Sequence, residues 1–209
     1  MLPRRSGARL DPSAERPVYR EIGTGKGSSV VLYAFGFERI CVVIADLYFI
    51  DPAPLPGQEG AERGVRLEVR LLTEGEMKGS IYSARPIMVD RPIWRVDLLE
   101  GVASSPGSLD RAHHHPALLG WEPGPRRFDD GMSARPLDWV ATRLSDLNAL
   151  TAQADVAVTE VDARDATALR QAVPEIIDVL ARLLDRVKAG ELARPPSDEK
   201  LSSVRSGWL

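Results

Sequence analysis

Cysteine is almost absent from this sequence, whose 209 residues contain only Cys41. A single cysteine cannot form an internal disulfide, so nothing in the chain points to an oxidising compartment, and we predict a cytoplasmic protein. Cys41 lies in the apolar run Ile40–Ile44. Because apolar surroundings raise the pKa of a thiol, we expect a small buried side chain there and not a nucleophile.

The chain also lacks a long hydrophobic run. Its longest apolar stretch, Ile40–Ile50, contains Asp46 and is shorter than the roughly 20 residues that a membrane-spanning helix needs. The positive charges at the start of the chain precede no apolar segment of the kind found in secretory signals. We therefore expect no association with a membrane.

Strong charge of either sign is missing as well. The formal net charge is −3, which excludes the basic field that non-specific nucleic-acid binding relies on. Residues 1–16 are rich in Arg, Pro, Ser and Gly and are predicted to form a flexible arm. The length predicts a single domain over residues 17–190, followed by a tail over residues 191–209 that ends in Trp208 and Leu209.

Residues 17–100 have the patterns of β-strands. Apolar and polar residues alternate cleanly over Val65–Leu72, which predicts a half-buried strand with Arg66, Glu68 and Arg70 on its polar face. The nearly continuous apolar residues of Glu38–Ile50 predict a central strand. Ser80–Val89 is predicted as a strand at an edge or a bulge, because Pro86 cannot donate a ladder hydrogen bond.

Residues 132–190 have the period of helices instead. Apolar residues recur at helical spacing from Ser133 to about Ala152, with Pro136 in the first turn. A second stripe runs from Ile176 to Val187 and is expected to end at Gly190. The sequence thus predicts an α+β fold: an antiparallel or mixed sheet of about five to six strands, then two to three helices packed on one face.

All three histidines, His113, His114 and His115, lie together in residues 101–131, which are predicted to form a loop. In an extended segment His113 and His115 point one way and His114 the other. Two adjacent imidazoles are a common start to a site for a divalent metal such as Zn, Mn or Fe. Asp97 and Asp110 are the favoured carboxylate ligands, and the further candidates are Glu100, Glu122, Asp129 and Asp130.

Known metal motifs do not fit the histidines. The metallo-β-lactamase pattern needs Asp and His directly after the pair, and the His-Glu-x-x-His pattern is absent. The spacing from Gly107 to His113 and His115 partly resembles the first cupin motif. A cupin would need an earlier acidic residue than Glu122, further strands and another histidine, so a cupin fold is not predicted.

The first functional hypothesis is a small metal-assisted hydrolase, such as a nuclease or phosphodiesterase, acting on a phosphate-containing or other anionic substrate. The metal ligands would be His113 and His115 with Asp97 or Asp110, and a metal-bound water would attack. His114 or Glu122 would be the general acid or base, and Arg95, Arg111 or Arg126 would neutralise phosphoryl charge. A metal-free variant would use His113 or His115 as acid and base.

The alternative hypothesis is a non-catalytic interaction or regulatory subunit in which the histidines are structural. A protein partner would then bind the arginine-rich arm, the Trp208 tail or the edge strand around Pro86. A third hypothesis is a small-molecule binder with a pocket between sheet and helices. The first two are distinguished by whether the histidines converge with carboxylates or spread over a convex surface.

Overall fold

The computed structural model describes residues 19–24, 28–54, 56–157 and 160–195, with side chains from Val31 onward. The predicted arm of residues 1–16 and the part of the predicted tail that includes Trp208 lie outside the described residues. The strands are β1 (Tyr19–Thr24), β2 (Ser28–Gly36), β3 (Ile40–Ile50), β4 (Ala61–Glu74), β5 (Ile87–Gly101), β6 (His113–His115), β7 (Leu118–Leu119) and β8 (Glu122–Pro123), and the helices are α1 (Asp130–Ala134), α2 (Pro136–Leu144), α3 (Leu147–Gln153) and α4 (Ala163–Lys188).

The fold is α+β, as predicted. Strands β1 to β6 form one antiparallel sheet in sequential order, and each strand pairs with the next along the chain. The short strands β7 and β8 form a separate two-stranded sheet. The helices follow the sheet in the chain and pack on one of its faces.

The prediction of a continuous loop over residues 101–131 is wrong at the histidines. Residues His113–His115 form strand β6, which pairs with Arg95–Asp97 of β5. On its other side, His114 exchanges two backbone hydrogen bonds with Arg127. The backbone of the histidine run is therefore held by neighbours on both sides, which fixes the direction of each imidazole.

The predicted strand over Ser80–Val89 is also shorter than expected. Residues 79–83 make turns and bends, residues 84–86 are irregular, and β5 begins only at Ile87. Proline has no N–H for the ladder, and Pro86 contributes its carbonyl to a hydrogen bond from Gly75 instead. The edge strand predicted around Pro86 is therefore replaced by the long turn between β4 and β5.

The core lies between the sheet and the helices. The alternating residues Val65, Leu67 and Val69 of β4 are fully buried on this side. The predicted stripe of α4 faces them, with Ile176, Leu180, Leu183 and Val187 all buried. None of the described helices is long and apolar enough to cross a membrane.

Helix α4 ends at Lys188, just before the predicted stop at Gly190. Asp162 and Asp165 form a reciprocal capping box at the start, which satisfies backbone N–H groups that have no partner within the helix. After the helix, Gly190 adopts a left-handed backbone with φ of 71°, a conformation that glycine takes without strain. Pro174 lies inside the helix.

The single helix predicted from Ser133 to about Ala152 is divided into α1, α2 and α3. The extended backbone of Arg135 separates the first two, and Pro136 starts α2. The next break lies at Ser145 and Asp146, where the Asp146 side chain accepts the N–H of Ala149 and starts α3. An apolar stripe that runs through a capping residue thus does not imply one continuous helix.

Two buried or partly buried carboxylates tie the helical layer to the sheet. Asp165 accepts the backbone N–H groups of Glu38 and Arg39, just before β3. Asp46 of β3 accepts the N–H groups of Val31 and Ala193. The chain after α4 is thereby held against the sheet, where the side chain of Ala193 is buried.

Candidate metal site

The second face of the sheet carries a charged cluster on β4, β5 and β6, at one edge of the sheet. Side chains alternate across a strand, so Arg66 and Glu68 of β4 point away from the apolar core. The register places Arg66 opposite Asp97 and Glu68 opposite Arg95, and then Asp97 opposite His113 and Arg95 opposite His115. Three neighbouring strands thus bring charged and imidazole groups together.

This face is polar and yet largely buried. Glu68, Asp97, His113 and His115 are 5%, 1%, 1% and 3% exposed. Residues of three described segments, 51–54, 56–60 and 116–128, provide the cover. Arg126 bonds Asp51, Gln58 and Glu62, the Trp121 ring lies over the Arg70 guanidinium, and the Phe128 ring contacts His113.

Asp97 is the centre of the cluster. Its Oδ1 accepts the Nε–H of Arg66 at 2.7 Å, and its Oδ2 lies 3.0 Å from Nε of Arg95. The Nε2 atoms of His113 and His115 lie 3.4 Å and 3.6 Å from the same Oδ2. Buried carboxylates need such compensation, because desolvation without partners costs several kcal/mol per ion.

The hydrogen bonds of both imidazoles fix where their protons lie. Nδ1 of His113 lies 2.8 Å from the carbonyl oxygen of Arg111, and Nδ1 of His115 lies 2.6 Å from that of Gly124. A carbonyl oxygen only accepts hydrogen bonds, so each Nδ1 carries the proton and donates it. The Nε2 atoms, which face Asp97, are left as the ligand atoms.

This arrangement is able to hold a metal ion. Ligand atoms of Asp97, His113 and His115 all lie within 4.8 Å of one another. Two ligands at about 2.1 Å from a tetrahedral ion are about 3.4 Å apart, close to the measured spacings of 3.4 Å and 3.6 Å between Nε2 and Oδ2. Backbone carbonyls that hold Nδ1–H of metal-binding histidines are a regular feature of such sites.

The electrostatics of the cluster keep Asp97 ionised and His115 neutral. Burial raises the pKa of Asp97, but the positive charges of Arg66 and Arg95 outweigh it and hold that pKa well below its usual range. Burial, together with the charge of Arg95, lowers the pKa of His115 despite the opposing effect of Asp97. An anionic carboxylate and a neutral imidazole are the forms that bind metals.

His114, predicted as a general acid or base, lies on the opposite face of the sheet. Its ring meets the Trp139 ring edge-on, with centroids 4.9 Å apart, and its residue is 6% exposed. Burial and the charge of Arg143 lower its pKa to about 4. The sheet therefore separates His114 from the side chains of His113 and His115.

The other predicted site residues, Asp110, Arg111 and Glu122, are not among the side chains that form the cluster. Asp110 accepts hydrogen bonds from Gly101 N, Ser104 and Ser108, and does not belong to the group that is able to hold a metal. The side chain of Arg111 bonds the carbonyl of Gly57, while its own carbonyl holds His113. Glu122 is exposed in β8.

Sequence reasoning missed Arg66 as a member of the cluster and assigned Arg95 only a general role near the histidines. Arg66 is far from the histidines in the chain, and its contact with Asp97 follows from the pairing of β4 with β5. The signal was present in the alternation of β4, where the polar face includes Arg66, Glu68 and Arg70. Alternation predicts a polar face, but it does not predict which segments cover that face.

Comparisons of the chain with protein-family models, with curated proteins and with solved structures find no match. The geometry and chemistry of the Asp97, His113 and His115 cluster are therefore the basis on which a function is proposed for this protein.

Proposed function

We propose that this protein binds a divalent transition metal ion, such as Zn, Mn or Fe, through Asp97, His113 and His115. The convergence of two Nε2 atoms on one carboxylate oxygen carries the proposal. Two imidazoles and one carboxylate, each deprotonated at the ligand atom, form a ligand set that these ions accept. The spacing of the ligand atoms supports the same interpretation.

We further propose that the bound ion serves metal-assisted hydrolysis of a small phosphate-containing or other anionic substrate. Three protein ligands leave a coordination position for water, whose pKa an ion such as zinc lowers to about 7. Arg66 and Arg95 lie beside the cluster and would stabilise anionic charge. Because the ligands are 1–3% exposed, the substrate would be small, or the covering residues around Trp121 and Phe128 would move aside.

Elemental analysis of untagged protein tests the metal site. The protein is to be produced in a bacterial cytoplasm, the compartment that its single cysteine favours, beside a His113→Ala/His115→Ala variant. We expect about one ion per chain in the wild type and none in the variant. A His114→Ala variant is the matched control, since its imidazole lies on the other face of the sheet, and it should keep the ion.

Absence of metal from the wild type, after incubation with Zn, Mn and Fe(II) in turn, would remove the metal site. If the ion is present, hydrolysis of phosphodiesters and nucleic acids is to be measured with and without a chelator. Activity that disappears with chelator and in the double variant supports the hydrolase. Activity that persists in chelator favours metal-free acid and base chemistry by the same histidines.

The second candidate is a non-catalytic interaction protein, and one observation favours it. The long turn between β4 and β5 and the adjoining part of β5 carry exposed apolar side chains. They are Met77, Ile81, Tyr82, Ile87, Met88 and Val89, which are 46–91% exposed. Contiguous exposed apolar surface is typical of contact sites. Self-association of the wild type in sedimentation experiments, lost in an Ile81→Ser/Tyr82→Ser variant, would support it.

A further inference from the structure

Arg95 is in direct contact with ligand atoms of the candidate metal site. A role in neutralising an anionic substrate does not require such contact. Its Nη2 lies 3.0 Å from Nε2 of His115, and its Nε lies 3.0 Å from Oδ2 of Asp97. Its side chain is 13% exposed. The guanidinium group thus contacts two of the three side chains that form the candidate metal site.

The contact with His115 excludes simultaneous metal binding at that nitrogen. Nδ1 of His115 carries the proton that bonds the Gly124 carbonyl, so Nε2 has the one lone pair in the plane of the ring. A guanidinium only donates hydrogen bonds, and this lone pair therefore accepts a proton of Arg95. A metal ion bound at Nε2 needs the same lone pair, so the ion and Arg95 compete for it.

The contact with Asp97 is a weak one by comparison. The Nε atom of Arg95 is buried and makes no hydrogen bond of acceptable geometry, although it lies at ion-pair distance from Oδ2. Arg66 forms the well-aligned hydrogen bond to the other oxygen at 2.7 Å. Asp97 therefore keeps a guanidinium partner when Arg95 moves away.

A second carboxylate is available to Arg95. Glu68 lies directly opposite Arg95 in the register of β4 and β5, on the same face of the sheet. One of its oxygens, Oε2, accepts the Nη1–H of Arg70, and a carboxylate accepts more than one such bond. The charges of the cluster, three guanidinium groups against two carboxylates, further disfavour an added cation while Arg95 stays in place.

We propose that Arg95 is an internal competitor of the metal ion: its guanidinium leaves His115 and Asp97 when the ion binds and turns to Glu68. Arg95 thereby sets the affinity of the site and links ion binding to a rearrangement of the polar face. This inference depends on the metal site proposed above and concerns its regulation.

Titration of an Arg95→Met variant with Zn²⁺ tests the proposal. Methionine keeps an unbranched side chain and removes the competing donor, so the dissociation constant measured by calorimetry should fall at least about tenfold relative to wild type. Arg63→Met is the matched control, because Arg63 lies in the neighbouring strand β4 and pairs with Glu100 outside the cluster. Its dissociation constant should stay within about twofold of the wild-type value.

The outcomes separate the two proposals. Equal or weaker zinc binding by Arg95→Met, with wild-type protein that binds zinc, overturns the role of Arg95 and leaves the metal site intact. No binding by either protein overturns the metal site itself. Zinc binding by Arg95→Met alone supports the competition at His115 but overturns metal binding by the wild type, from which Arg95 would exclude the ion.

Nuclear magnetic resonance of the wild type keeps the proposal testable if Arg95→Met does not fold. The ¹H–¹⁵N resonance of the Arg95 Nε–H, assigned with an Arg95→Lys variant, should shift on saturation with Zn²⁺. The corresponding resonance of Arg63 should stay in place. An Arg95 resonance that does not respond, in protein that has bound zinc, overturns the proposal.

Discussion

His113 and His114 are consecutive in β6, and their imidazole rings lie on opposite faces of the sheet. Nε2 of His113 is 3.4 Å from Oδ2 of Asp97, whereas the His114 ring lies 4.9 Å from the Trp139 ring in the layer of helices. Both residues are buried. Substitutions of the two histidines therefore test different properties: the candidate metal site in one case, the core in the other.

The first prediction is a pH-dependent stability that depends on His114. Burial lowers the pKa of this imidazole to about 4, while in the unfolded chain it is about 6.5. Between these pH values the unfolded chain binds a proton that the folded protein does not bind, so the stability present above pH 6.5 is lost as the pH falls towards 4. The free energy of unfolding should decrease by about 2–3 kcal/mol more in wild type than in His114→Phe.

Urea denaturation from pH 7 to pH 4 measures this difference. Other groups, Asp97 among them, titrate in both proteins, so the comparison isolates His114. Parallel stability curves for the two proteins would show that His114 has no depressed pKa. The phenylalanine variant is also expected to bind as much metal as the wild type.

The fold was largely predictable from residue patterns, because polarity alternates in β4 and recurs at helical spacing in α4. The burial of the polar face of β4 was not predictable from these patterns. Arg70 and Glu68 are each 5% exposed, since segments distant in sequence cover them. The alternation of residue types indicates which side of a strand is polar, but it does not indicate whether that side is exposed to solvent.

The candidate site was predictable only in part. The two-residue spacing of His113 and His115 indicated a shared face, and Asp97 was one of the two favoured carboxylate ligands. The choice between Asp97 and Asp110 follows from the register of β5 and β6, which pairs Asp97 with His113. Such pairing between strands depends on the tertiary structure, and no local pattern in the chain specifies it.

The second prediction compares Asp97→Asn with Asp110→Asn. The first change leaves the largely buried guanidinium groups of Arg66 and Arg95 without their shared counter-ion, which should cost about 3 kcal/mol of the free energy of unfolding. It should also abolish metal binding. Asp110 bonds the loop around Ser104 and Ser108, so its substitution should cost less and leave the ion in place.

Chemical denaturation and elemental analysis of the two variants check this prediction. The metal measurement is to be made at a temperature where both variants are folded, as judged by circular dichroism. Loss of the ion from Asp110→Asn, with retention in Asp97→Asn, would reverse the assignment of the carboxylate ligand.

The third prediction concerns Asp165, which joins the start of α4 to the sheet. This residue is completely buried, and its carboxylate accepts the backbone N–H groups of Glu38, Arg39 and Asp162. Asp165→Ala leaves these donors without their partner and should lower the free energy of unfolding by about 2–4 kcal/mol.

Urea denaturation of Asp165→Ala is to be compared with that of Asp178→Ala. Asp178 is exposed in the same helix, so the control makes the same chemical change without removing a buried acceptor. Its effect should stay within about 0.5 kcal/mol. Similar losses in the two variants would mean that the three hydrogen bonds of Asp165 contribute little to stability.

The fourth prediction links metal binding to folding. An ion that binds the folded chain alone stabilises it by about 2.7 kcal/mol when its free concentration is a hundred times the dissociation constant. Two of the three ligands lie in β6 and one in β5, so the ion would join the last strand of the sheet to its neighbour. The thermal unfolding midpoint of the wild type should therefore rise with zinc, and that of His113→Ala/His115→Ala should not. An equal rise in both proteins would place the stabilising ion on other carboxylates of the chain and remove the thermodynamic support for the Asp97 cluster.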